Sequence, residues 1–173
     1  IAQSGGGSID FDYYGEGLVK SHKARSSSEV LQAEYIYDYD SKGRRTDMYI
    51  TLPSEGWTDP QQFSYAYDSM GRLTQFDPPD GIGPKLSYKY DKTGNLETVT
   101  ENDSVVRASF SYNEANQITS GPDGAYEYDV YGNLESAGDK SYGYDGLGRL
   151  VSRCLGVSHS SSRSHRCISR RIL

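Results

Sequence analysis

The sequence predicts an all-β protein made of tandem β-hairpin repeats that form part of a curled or spiralling β-sheet. Three observations predict it. A nine-residue phrase, aromatic-any-Tyr-Asp-any-any-Gly-Arg/Asn-Leu, recurs along the chain. Tyr supplies 16 of the 173 residues in a chain with few other large apolar side chains. Clusters of Gly, Pro and Asp separate the copies, as at Asp77-Pro78-Pro79-Asp80-Gly81, Gly121-Pro122-Asp123-Gly124 and Ala137-Gly138-Asp139. Repeats of this kind decide a fold before any local propensity does.

Each part of the phrase has a physical reason. Aromatic-any-Tyr has the two-residue period of a strand, so both rings share one face. Tyr is also favoured in strands. Asp-any-any-Gly fits a type I turn, with Asp first and Gly fourth. Gly accepts the positive φ that follows such a turn in short hairpin loops. Leu, two positions after Gly, opens the returning strand. One hairpin cannot bury its own rings, so neighbouring hairpins are expected to pair edge to edge.

The clean copies are Tyr65 to Leu73 (Tyr65, Tyr67, Asp68, Gly71, Arg72, Leu73), Tyr88 to Leu96 (Tyr88, Tyr90, Asp91, Gly94, Leu96), Tyr126 to Leu134 (Tyr126, Tyr128, Asp129, Gly132, Leu134) and Tyr142 to Leu150 (Tyr142, Tyr144, Asp145, Gly148, Arg149, Leu150). A weaker copy, Tyr37 to Arg45, keeps Tyr39, Asp40 and Gly43. Another, Phe110 to Ile118, has Asn113 for Asp and Asn116 for Gly. A worn first copy is placed at Ile9 to Asp12, with Gly15 at its turn and Leu18 one position late. No convincing helix is expected in 30–150; Ser26 to Ala33 has room for a helical turn or two.

The phrase resembles the YD or Rhs repeat of bacterial polymorphic toxins, toxin-complex shells and teneurins. The resemblance covers about residues 9–150. It implies a hollow β-shell that encloses a C-terminal toxin or other cargo, or supports surface adhesion. It implies a large secreted or surface parent protein, whose remaining repeats and cargo would be this chain's partners. It does not imply catalysis, and the expectation is a non-enzymatic segment without cofactor. A shell of this kind needs more strands than about seven hairpins supply, so the chain reads as a fragment. It begins at Ile1 without a signal-peptide pattern, which reads as a missing N-terminus.

Composition narrows the partners. Net charge is −6, which disfavours nucleic acid. Mean hydropathy is −0.73, and no window approaches the roughly 18 apolar residues of a membrane span. Residues 1–150 carry 13 Lys and Arg against 24 Asp and Glu, net −11, whereas residues 151–173 carry five Arg and no acid. The chain therefore divides into a flexible start (1–8), the repeat region (9–150) and a Ser/Arg-rich irregular tail (151–173). The tail holds both Cys and no Tyr, and a shifted reading frame would explain it.

Candidate chemistry is sparse. The motif Asp residues are better read as turn-starting groups that bond backbone amides than as metal or acid sites. Asp38 to Gly43 superficially matches a calcium loop, but Lys42 and Tyr49 stand where oxygen ligands belong. Motif arginines are expected to pair with a cross-strand carboxylate or cover a Tyr ring. Cys154, His159, His165 and Cys167 match no usual zinc spacing, and a disulfide between the two Cys is open. Asn102-Asp103-Ser104 is a glycosylation acceptor only in a eukaryotic secretory setting. His22 has no nucleophile motif beside it. Exposed Tyr rings leave cell-surface glycans as a second class of partner.

Overall fold

The computed structural model describes residues 6–159 and 162–169. They are antiparallel strands joined by turns and one short 3-10 turn at Pro53–Glu55, with no α-helix among them. The first nine strands are β1 (Ser8–Tyr13), β2 (Val19–Arg25), β3 (Leu31–Tyr39), β4 (Arg45–Leu52), β5 (Trp57–Tyr67), β6 (Leu73–Asp77), β7 (Leu86–Tyr90), β8 (Leu96–Glu101) and β9 (Val105–Ser109). They form one sheet in sequence order. A second sheet runs in order through β10 (Ser111–Tyr112), β11 (Ile118–Gly121), β12 (Gly124–Tyr128), β13 (Leu134–Ala137), β14 (Lys140–Tyr144), β15 (Leu150–His159) and β16 (Ser162–Ser169). The chain makes two compact units, residues 1–88 with 100–105 and residues 89–99 with 106–173, so that β7, β8 and β9 are divided between them.

Period two sorts the first unit's sheet into two unlike faces. Register places Phe11, His22, Tyr35 and Ile50 in one row, and Tyr37, Met48 and Phe63 in the next. The rings touch: His22 stacks on Tyr35 at 4.5 Å and on Phe11 at 5.4 Å, and Phe63 lies 6.2 Å from Phe76. Tyr37, Ile50 and Phe63 are the buried large residues of this face. The opposite face is mostly polar, with rows Asp10–Lys23–Glu34–Thr51 and Asp38–Asp47–Ser64–Asp77, and Ile36 paired with Tyr49 between them. Asp38 and Asp47 face each other, a like-charge pairing that destabilises unless screened. Here Ser64 and Gln62 donate to Asp47 at 2.7 and 2.9 Å.

In the second unit one close approach lies between rings. A Cβ on Gly121 would stand 3.1 Å from the Phe110 ring and 3.2 Å from the Tyr126 ring. Ala137, opposite Tyr126, is 3% exposed. Small residues there let the aromatic side chains close over the sheet.

Three expectations are corrected. Ser26 to Ala33 is not helical: it is a hairpin turn in which Ser26 N–H donates to the Val30 carbonyl and Glu29 N–H to the Ser26 carbonyl, and β3 starts at Leu31. The segment after Leu150, expected to be irregular, is strand over β15 and β16. The worn first copy is shifted by two residues. Its turn runs Tyr14 to Gly17, with Gly17 N–H donating to the Tyr14 carbonyl and Gly17 at φ 81°. The second aromatic is therefore Tyr13, paired with Val19, and Tyr14 occupies the Asp position. Most of the flexible start, residues 1–5, lies outside the described residues.

Candidate functional site

The recurring structure is the turn edge, where every copy of the phrase makes the same loop. In the Asp40 turn the Gly43 N–H donates to the Asp40 carbonyl at 2.9 Å, closing a type I turn. The Asp40 N–H then donates to the Arg44 carbonyl at 2.9 Å. The extra residue shifts the register, so that Tyr39 pairs with Arg45. This is a bulged hairpin with glycine in the left-handed region. Gly43, Gly71, Gly94, Gly132 and Gly148 all have positive φ, from 72° to 98°. Asn116 takes the same place at φ 59°.

The Asp carboxylate is consumed by its own turn. Asp40 Oδ1 accepts from the Lys42 and Arg44 N–H groups at 2.8 and 3.0 Å, and Arg44 Nε donates to Oδ2 at 2.7 Å. Asp68 repeats this with Met70 and Arg72, and Asp145 with Leu147 and Arg149. Asp91 and Asp129 use Asn95 and Asn133, whose Nδ2 donates to Oδ2 at 3.0 and 2.8 Å. Arg and Asn alternate in the phrase because both put an N–H donor on the second carboxylate oxygen. The Asn113 turn inverts the bond: its Nδ2 donates to Gln117 Oε1 at 2.8 Å. The sequence expectation for the motif arginines is thus refined, since their carboxylate partner is the turn's own Asp.

These bonds set the acidity of the turns. Backbone and side-chain donation from Arg44 and Arg72 holds Asp40 and Asp68 below the usual carboxylate range, and Arg149 does so for Asp145. Asn133 lowers Asp129. For Asp91, desolvation pushes upward but is outweighed by the Thr93 and Asn95 donors, which bring it to about 2.

Successive hairpins are joined by two further contacts. Looking forward, Arg44 Nη1 donates to the Asp68 carbonyl at 3.0 Å while its guanidinium lies 4.8 Å from the Tyr67 ring. The residue at this position covers the next turn's glycine: Leu18 against Gly43, Arg44 against Gly71, Gln117 against Gly132 and Asn133 against Gly148. Asn95 donates to Asn116 at 3.0 Å in the same manner. Looking back, the Tyr39 hydroxyl donates to the Val19 carbonyl and the Tyr112 hydroxyl to the Leu96 carbonyl, each at 2.9 Å. Both acceptors open the preceding returning strand. This gives the second aromatic a reason to be Tyr and not Phe.

The first aromatics Tyr65, Tyr88, Tyr126 and Tyr142 lie within their outgoing strands, and Tyr39, Tyr67, Tyr90, Tyr128 and Tyr144 end theirs. Leu73, Leu96, Leu134 and Leu150 open the returning strands. The motif Asp residues are not gathered into one site, and among the described residues no group of three or more His, Cys, Asp or Glu is placed to hold a metal. Cys154 is disulfide-bonded, and the backbone register sets Cys167 opposite it. The zinc-like set otherwise rests on His159, His165 and Cys167, whose side chains are outside the described ones. Asn102 and Asp103 form an exposed turn with φ 48° and 57°; Asn102 Oδ1 accepts from the Lys85 N–H. Sequence reasoning placed Gly121 only in a turn cluster and Leu18 only as a displaced motif Leu, so the rings against the first and the glycine covered by the second were missed.

A family model described as the teneurin YD-shell matches residues 8–159. No curated protein matches the chain. Solved structures similar to it include a Photorhabdus luminescens Tc holotoxin pore, at 12% identity and TM-score 0.49, with 92% of this chain and 11% of that chain covered. A TcdB2–TccC3 complex with Cdc42 is 12% identical with TM-score 0.47, covering 93% and 12%. A porin-like protein from Bacteroides uniformis is 12% identical with TM-score 0.36, covering 96% and 91%. The chain thus spans about a ninth of the length of the toxin chains it matches.

Proposed function

We propose that this chain, which belongs to the teneurin YD-shell family, is a non-catalytic wall segment of a larger secreted or surface protein, where it encloses or displays a toxin or other cargo. Its partners in this reading are further YD repeats and the C-terminal cargo of the same polypeptide. One observation carries the proposal: the sheets bury almost nothing by themselves. Among the described residues only Tyr37, Ile50, Thr51, Phe63 and Ala137 are buried, and no side chain is below 2% exposed. A stable domain of this length buries far more, so the rings need neighbours from elsewhere. The motif residues are repeat-structural in this account, and the occupied turn carboxylates support the absence of catalysis. No helix among the described residues is long and apolar enough to cross a membrane.

The test is protease protection in the longer polypeptide that this reading requires. The cargo segment should resist digestion while the wall is intact and be cleaved once the wall is denatured. Cleavage of the cargo in the native protein, at the rate of the isolated segment, would remove the enclosure reading. A second reading, recognition of glycans, is favoured by the half-exposed rings of Phe11 and Tyr13 on β1. A glycan array without hits for the folded chain would end it.

A further inference from the structure

The last two motif turns of the second unit differ from the rest at their tips. Two residues after the turn Asp, the other copies carry Glu16, Lys42, Met70, Thr93 and Ala115, mostly polar or small. Here the position holds Tyr131 and Leu147, which are 87% and 78% exposed, and Val130 beside Tyr131 is 93% exposed. Tyr131 and Leu147 line one cleft of about 740 Å³, together with Gly143 and Gly146. The turns need none of these side chains, since the loops close through backbone groups and the Asp carboxylate. Contiguous exposed apolar groups on an otherwise polar edge mark a contact surface.

The ionisable side chains of the cleft other than Tyr are Asp129, Glu135 and Asp145. Arg149 neutralises Asp145 at 2.7 Å. Asp129 and Glu135 have no cationic partner among the described residues. We propose that this cleft is a docking site for an extended polypeptide segment in which apolar side chains alternate with Lys or Arg. The apolar groups would lie between Tyr131 and Leu147, and a cation would meet Glu135, with the turn-bonded Asp129 adding negative charge beside it. Beside these two carboxylates the exposed Leu147 offers an aliphatic surface, and that pairing of charge with apolar area suits a cationic peptide better than a neutral sugar ring. The inference does not depend on the shell reading.

Binding of two labelled octapeptides to the full chain, one alternating Leu and Lys and one alternating Leu and Glu, tests the proposal by fluorescence anisotropy. The Leu-Lys peptide should bind, and the double variant Y131S/L147S should weaken it at least tenfold. E135Q should weaken it severalfold, and the Leu-Glu peptide should not bind. Both substituted tips are exposed, so an unchanged circular dichroism spectrum is expected for the double variant. Equal Leu-Lys binding by the double variant would overturn the proposal and leave general attraction to an acidic chain. So would equal binding of Leu-Glu, or no binding of Leu-Lys at all. Self-association that Y131S/L147S abolishes, without peptide binding, would reassign the cleft to a second copy. Variant-sensitive binding of a neutral oligosaccharide in place of the peptide would reassign it to glycans.

Discussion

The same residue does different work at different places in the ladder of turns. Arg44 bonds its own Asp40, donates to the Asp68 carbonyl and covers the Tyr67 ring, with its side chain 25% exposed. Arg149 makes the same bond to Asp145 but is 61% exposed. Arg44→Ala should therefore destabilise by about 1–2 kcal/mol, combining a charge-assisted bond with a cation–π contact, whereas Arg149→Ala should stay within about 0.5 kcal/mol. Urea unfolding of both variants checks this. Tyr39→Phe and Tyr112→Phe each remove one hydroxyl bond to the preceding hairpin and should cost about 0.5–1.5 kcal/mol apiece. Tyr35→Phe, without such a bond, is the control. The identity of these residues was legible in the phrase, because the turn is local. Their partners were not, because the carbonyls they reach lie 16 to 24 residues away and the intervening lengths vary.

At the scale of the hairpin, the misplaced first copy is instructive. A slip of two residues preserves strand parity, so Ile9, Phe11 and Tyr13 share a face in either alignment. What failed was the turn, since Tyr14 replaces Asp and sends its hydroxyl instead to the Tyr37 carbonyl and Asp38. The length of β15 past Leu150, and the whole of β16, were illegible for the opposite reason: no Tyr-Asp phrase marks them. Gly121 was read only as part of a turn cluster, yet two rings close on it. Gly121→Ala should destabilise the second unit by about 1–3 kcal/mol through overpacking; thermal melting of the variant decides it. The turn carboxylates also predict a pH response. Their folded pKa values are depressed, so their contribution is complete above about pH 4 and is lost as pH falls towards 2, the value for Asp91. Hydrogen exchange across that window should show the Asp91 turn loosening while the Asn113 turn, which has no carboxylate, is unaffected. Equal behaviour of the two would contradict the assignment.

At the scale of the whole molecule, the fold class and the succession of hairpins followed from repeat spacing and from a tyrosine content that substitutes for an aliphatic core. The scarcity of buried residues was foreshadowed by the mean hydropathy of −0.73. How little the faces bury could not be read from the sequence, because burial depends on what covers a sheet. Strand β1 presents Ile9, Phe11 and Tyr13 at 46%, 54% and 55% exposure, and β9 presents Val105 and Val106 at 56% and 60%. Exposed apolar edge strands pair with other chains unless they are covered. Sedimentation velocity of the purified chain over a range of concentrations tests the wall-segment account most directly. The account predicts β-rich material that self-associates as concentration rises. A stable monomer at every concentration, unfolding in one sharp thermal transition, would contradict it.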